Sequence, residues 1–143
     1  MRTYILAAVV GAMALSGCAS TGGIAKMQGE AAQYRYVDYA GEPIDDFRSF
    51  RLDGWAAVSR DTLVLWNGVN EAYLVKVWDN CRDLNFANVI GVTSTTNTIS
   101  KFEKVRVGND VCPISEIRPI DVKQMKADRR AAMAASKAAT AEQ

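Results

Sequence analysis

A hairpin that is apolar on both faces leaves few folds open, and this chain has one in "TLVLWNGVNEAYLVKVW" at 62–78. Asn67-Gly68 opens the connection, because both residue types tolerate the backbone of tight turns. With a side-chain period of two, Leu63 and Leu65 face one side, and Val64 and Trp66 face the other. On the return strand Tyr73, Val75 and Val77 oppose Leu74, Lys76 and Trp78. A surface hairpin keeps one wet face. Here both faces need cover, which implies a central strand pair or the wall of a closed barrel.

The flanking sequence continues in short strands. "FRSFRLDGW" brings aromatic residues up to an Asp53-Gly54 turn, "WAAVS" follows, and Arg60-Asp61 turns into the hairpin. Asp79-Asn80 reads as a turn, and Cys81 to Phe86 as a helical turn or irregular connection. Asn88 to Thr93 is strand-like, "TTN" turns, Ile99 to Val107 is a strand interrupted near Phe102, and "GND" at 108–110 is a tight turn. In "VCPISEIRPI", Ile114 and Ile117 share a face only if a bulge intervenes, and Pro113 and Pro119 point to an edge strand. The expected fold is mainly β, a small antiparallel barrel or half-open sandwich of five to seven strands, with a C-terminal α-helix. For that helix Asp121 and Gln124 have capping-box spacing. Its apolar face is thin (Val122, Met125, Met133), so residues 121–143 read as a partly frayed helical tail.

The amino terminus sets an address. Arg2 precedes an apolar stretch, Tyr4 to Leu15, shorter than the roughly 20 residues a spanning helix needs and suited to a secretory signal peptide. Leu15-Ser16-Gly17-Cys18 resembles the lipobox of bacterial lipoproteins. The resemblance implies cleavage of residues 1–17, a lipid on the Cys18 sulfur and an acylated new amino terminus. Several acyl chains together anchor stably. Ala19 stands where an aspartate commonly retains such proteins at the inner membrane, so the periplasmic face of the outer membrane is the expected location. Residues 18–33 are small and polar and read as a flexible tether, with the β domain at 34–120; Tyr34 and Tyr36 begin it.

Removing residues 1–17 takes away Arg2 alone among the charges, leaving 16 basic (17 − 1) and 16 acidic side chains. Nothing in that balance favours nucleic acid. With Cys18 lipidated, Cys81 and Cys112 have only each other in an oxidising periplasm. A bridge between them is expected to stabilise the domain by about 3–4 kcal/mol. Their spacing is not that of a C-x-x-C redox pair. The chain has three cysteines and no histidine, too few such ligands for the usual structural zinc sets, and the lack of histidine removes the Ser-His-Asp and Cys-His arrangements. No metal or cofactor is expected.

Trp55, Trp66, Tyr73 and Trp78 concentrate aromatic surface: a platform for sugar rings in one reading, core packing in the other. Asp45-Asp46, Asp79 and Asp83 offer oxygen ligands or acid–base pairs, Asp79 and Asp83 for instance, or read more simply as solvated caps; none matches a calcium loop. Lys123, Lys126, Arg130 and Lys137 share one helical face, solvated or turned to anionic lipid. In "TSTTNTIS" at 93–100 a nucleophile would need Lys101 or Lys104 as base; polar alternation around a hairpin explains the run more simply.

"AYLVKVWDNCRDLNFANVIGVTS", "FEKVRV" and "CPISEIRPID" resemble a group of uncharacterised proteobacterial envelope proteins, a domain of unknown function, over Trp55 to Pro119. Glu103 stands where aspartate is expected. The resemblance implies a secreted or lipidated single domain with paired cysteines and carries no activity. The expected function is a membrane-anchored periplasmic lipoprotein, a non-enzymatic binding or structural module whose partner is an envelope protein or glycan. The alternatives are a carboxylate-dependent enzyme on envelope polymers and a small-ligand carrier using the barrel interior.

Overall fold

The computed structural model describes residues 23–27, 35–78 and 81–142. The signal segment with Cys18, most of the tether, Tyr34 and Asp79-Asn80 lie outside them.

The strands are β1 (Ile24–Ala25), β2 (Asp46–Arg48), β3 (Gly54–Ala57), β4 (Thr62–Trp66), β5 (Ala72–Val77), β6 (Val89–Val92), β7 (Thr98–Ser100), β8 (Lys104–Val107) and β9 (Asp110–Ile120), followed by helix α1 (Val122–Ala141). Seven form one antiparallel sheet in the order β1-β6-β8-β9-β5-β4-β3, and β2 pairs with β7 apart from it. Lys26 bridges Trp55, and the Met27 N–H donates to the Trp55 carbonyl at 2.7 Å. That contact joins the two outer strands, so the sheet is a nearly closed barrel. Ile24 to Met27, assigned to the tether from their small polar surroundings, belong to its wall. Closure of a sheet satisfies edge N–H and C=O groups, and a segment of four or five residues is too short to declare itself by periodicity.

The β4–β5 hairpin forms in the expected register, Leu63 opposite Val75 and Leu65 opposite Tyr73. Its two apolar faces meet two clusters. Leu63, Leu65, Val75 and Val77 fill the barrel interior with Trp55, Ile90, Val105, Cys112, Ile114 and Ile117. Val64, Trp66 and Leu74 pack outside against Tyr36, Val122 and Met125. Full burial of one such leucine contributes about 2 kcal/mol. A central position and a barrel wall are therefore both realised. These side chains occupy the interior that the carrier alternative would use, which argues against it.

Strand β9 is not an edge. Its first half pairs with β8 (Cys112 opposite Val105) and its second half with β5 (Ile117 opposite Val75). The prolines fit because of where their missing N–H groups fall. The Pro119 carbonyl accepts from Gly41 and the Pro113 carbonyl from Trp78. A strand residue's N–H lies on the side of its C=O, so neither proline interrupts a ladder. The anticipated bulge is present: Lys76 pairs with Glu116 and Val77 with Ile114, leaving Ser115 extra. The break near Phe102 is also present, and there the chain leaves β7 for β8. Gly54 is not a turn residue; it pairs with Trp66 inside β3 and has Met27 packed where a side chain would stand.

Helix α1 runs unbroken to Ala141, buries only Val122 and Met125, and is exposed from residue 130 onward. Asp121 caps it by accepting from the Gln124 N–H at 3.0 Å. The capping box is half made. Gln124 turns its amide to Asp128, and the Asp121 N–H donates to the Tyr39 carbonyl instead.

Thr96 (φ 52°) and Asn97 (φ 56°) form the β6–β7 turn, closed by reciprocal Thr95–Thr98 hydrogen bonds of 3.0 and 2.9 Å. Two left-handed residues make a type I′ turn, which disfavours a β-branched side chain. Thr96→Asn is expected to raise stability by about 1 kcal/mol, read as a higher urea midpoint at unchanged slope.

Candidate functional site

The rim next to the end of β5 gathers polar groups around one exposed ring. The loop from Ser59 to Asp61 is held by the Val58 and Ser59 N–H groups on the Thr62 carbonyl (2.9 and 3.0 Å) and by the Val77 N–H on the Asp61 carbonyl (2.8 Å). The Asp61 carboxylate accepts from the Ser59 hydroxyl at 2.7 Å and the Thr62 hydroxyl at 3.0 Å, with the Lys76 ammonium 3.8 Å away. The Ser59 hydroxyl chiefly holds the Asp61 carboxyl below its ordinary 3.8. Partial burial opposes this, and Thr62 and Lys76 add to it. Asp61 is a fixed anion at neutral pH.

Across β5, the bulge re-aims the start of the next β9 segment. The Ser115 hydroxyl donates to the Lys76 carbonyl at 3.1 Å, and Glu116 accepts from the Arg118 guanidinium. Trp78 is 62% exposed, yet its N–H is fastened to the Pro113 carbonyl at 3.0 Å. Cys112, beside that proline, is disulfide-bonded to Cys81 with Cα atoms 5.6 Å apart. A cleft of about 350 Å³ is lined by Asp61, Lys76, Val77, Trp78, Ser115 and Glu116. A second of about 540 Å³ is lined by Ser59, Arg60, Asp61, Cys81 and Arg82. Asp61 belongs to both. The arrangement offers a flat ring, two carboxylates to accept from hydroxyls, and cations to receive an acid group.

The four aromatic candidates do not share a surface. Trp55 lies in the barrel interior and Trp66 under α1, on opposite faces of the sheet. Tyr73 is half-buried, stacked on Phe47 with ring centroids 3.8 Å apart, and its hydroxyl donates to Glu71 at 2.5 Å. Burial, then Glu71, drives its pKa far up. Among the described residues of the four, Trp78 alone presents its ring to solvent.

Other candidates have local partners. Asp83 is exposed in the 82–86 turn, where its carbonyl accepts from Phe86 and Ala87; Asp79 lies outside the described residues. Asp45 pairs with Lys101 at 2.8 Å, and Asp46 is exposed in β2. Lys126 donates to the Val69 carbonyl and to Asn70, while Lys123, Arg130 and Lys137 are exposed. The Thr93 and Thr95 hydroxyls both donate to Glu103, which is thereby held below its ordinary pKa. Those hydroxyls tie the segment after β6 to the residue that precedes β8. No group of three or more metal-ligating side chains occurs among the described residues. Asp61, Ser115 and Glu116 were not legible as site residues. The required bulge was the one available signal that the strand is bent there.

Because the Asp61 pKa is lowered on folding, its contribution is present above about pH 4 and is lost as pH falls through the folded value. Asp61→Ala is expected to cost about 1 kcal/mol at neutral pH, a value discounted for solvent exposure. It should also flatten the acid limb of a stability–pH curve below pH 4.

A small antiparallel barrel, clamped by the Cys81–Cys112 disulfide and carrying a tryptophan-edged polar cleft, defines a compact β module. The chain belongs to a family of unknown function, DUF6491, matched over residues 1–136. No curated protein and no solved structure matches it.

Proposed function

We propose that this chain is a lipid-anchored periplasmic binding module that recognises an envelope glycan, non-enzymatically, through the cleft edged by Trp78. The anchor rests on the Leu15-Ser16-Gly17-Cys18 motif. The binding role rests on one observation: Trp78 projects its ring into solvent while its backbone is pinned to Pro113. An exposed tryptophan beside acceptors is suited to sugars. Its face takes the C–H side of a pyranose, while Asp61 and Glu116 accept hydroxyl protons. A rigid mounting limits the ordering cost of binding.

The test is titration of the mature chain with soluble peptidoglycan fragments, followed by tryptophan fluorescence and calorimetry. Saturable binding is expected, weakened at least tenfold by Trp78→Ala and severalfold by Asp61→Asn. Absence of binding, or binding indifferent to Trp78→Ala, would overturn the reading.

A further inference from the structure

We propose that the barrel wall formed by β1, β6, β8 and the first half of β9 lies flat on an anionic lipid surface, so that the anchor orients the domain as well as holding it. The proposal rests on the lipoprotein reading of Cys18. The β3–β5 wall is covered by α1 through Val122 and Met125, whereas the β6–β8 wall carries no helix among the described residues.

The outward positions of that wall follow from register and burial. Ile90, Val105, Val107 and Cys112 point inward. Val89, Lys104, Arg106 and Val111 therefore point outward, and all four are exposed. Arg106 stands opposite Val111 on one side and Gly91 on the other; Lys104 stands opposite Pro113; Val89 stands opposite Ala25. No acidic residue occupies an outward position in these rows. Arg106 makes no ion pair among the described residues. Glu103, next to Lys104, stays an anion held by two threonine hydroxyls and within Coulombic reach of Lys104, which leaves Arg106 as the wall's uncompensated cation. The wall thus combines the unpaired Arg106 and the Lys104 ammonium, the latter beside Glu103, with the exposed apolar side chains Val89 and Val111, the chemistry of a surface seated among lipid headgroups.

The chain's entry point argues for a membrane rather than another partner. Gly23 leads directly into β1 and lies against the Val89 methyl, so the described chain begins within this wall. Five residue steps separate Cys18 from Gly23, a reach of about 18 Å at full extension. That reach bounds how far a lipid on Cys18 can stand from β1.

The test uses the acylated chain in vesicles of phosphatidylethanolamine and phosphatidylglycerol, with detergent micelles as reference. Lysine acetylation rates are read residue by residue by mass spectrometry. Lys104 is expected to be protected about fivefold or more in the vesicles, while Lys123 and Lys137 on α1 label as in detergent. Arg106→Glu should remove most of that protection without changing the acyl state. Equal Lys104 rates in both media, or protection of the α1 lysines instead, overturns the proposed orientation while leaving the anchor intact. A Cys18 found without acyl chains in the intact mass overturns the anchor, and the orientation with it.

Discussion

Cys81→Ser with Cys112→Ser is expected to lower the unfolding free energy by about 3.5–4 kcal/mol. The bridge joins residues 31 apart, and in the chain-entropy model a loop of that length restricts the unfolded ensemble by about this much. For a domain of this size that corresponds to a fall of roughly 15–25 °C in Tm. Thermal unfolding with and without reductant, beside the double variant, checks it. Both cysteines sit in the interior cluster next to Val105 and Ile114, so serine also places hydroxyls in apolar surroundings. The double alanine variant separates the two effects by keeping the loss of the loop constraint. The clamp has a local role too. It fastens the stretch after Trp78 to the strand carrying Pro113, so the variants that still fold should lose order at the cleft first. A loss below 1 kcal/mol in both double variants would show that the bridge does not constrain the unfolded chain.

Trp55→Ala is expected to cost about 3–5 kcal/mol, against a total stability of about 5–15 kcal/mol for domains of this kind. Trp55 is 0% exposed and stands between the Lys26 bridge and Leu65. Its loss opens a cavity where β1 meets β3, the seam of the barrel. Lys26 also holds its ammonium 5.3 Å from the ring centroid. The indole N–H has no hydrogen-bond partner among the described residues, so Trp55→Phe gives up volume but no hydrogen bond and is expected to cost far less than alanine. Trp78→Ala, on an exposed ring, is expected to stay within about 0.5 kcal/mol of the parent. Urea denaturation of the three variants provides the comparison. Equal losses at Trp55 and Trp78 would contradict the burial described above.

Much of the local structure was readable from neighbouring residues alone. The alternation in 62–78 set which side chains share a face, and the spacing of Ile114 and Ile117 required the bulge that Ser115 supplies. The turn residues marked the turn at 95–98 and the hairpin at 108–110, and Asp121 marked the start of α1. Readings failed where the answer lay with a distant partner. Pro113 and Pro119 look like edge residues until the partners of their carbonyls are known. Gln124 fits a capping box, but Tyr39 satisfies the Asp121 N–H first. Trp55, Trp66 and Trp78 are alike in composition and differ only in which wall, helix or solvent each meets.

The sequence by itself determined the β class, the two-faced hairpin, the cysteine pairing and the capped helix, because each follows from side-chain period, turn chemistry or elimination over a short span. Tertiary structure alone decided that residues 24–27 close the barrel, that β9 is central, and that Trp78 edges a cleft with Asp61 and Glu116. Those features depend on hydrogen bonds and packing between segments remote in the chain, and no local pattern encodes which remote segment arrives.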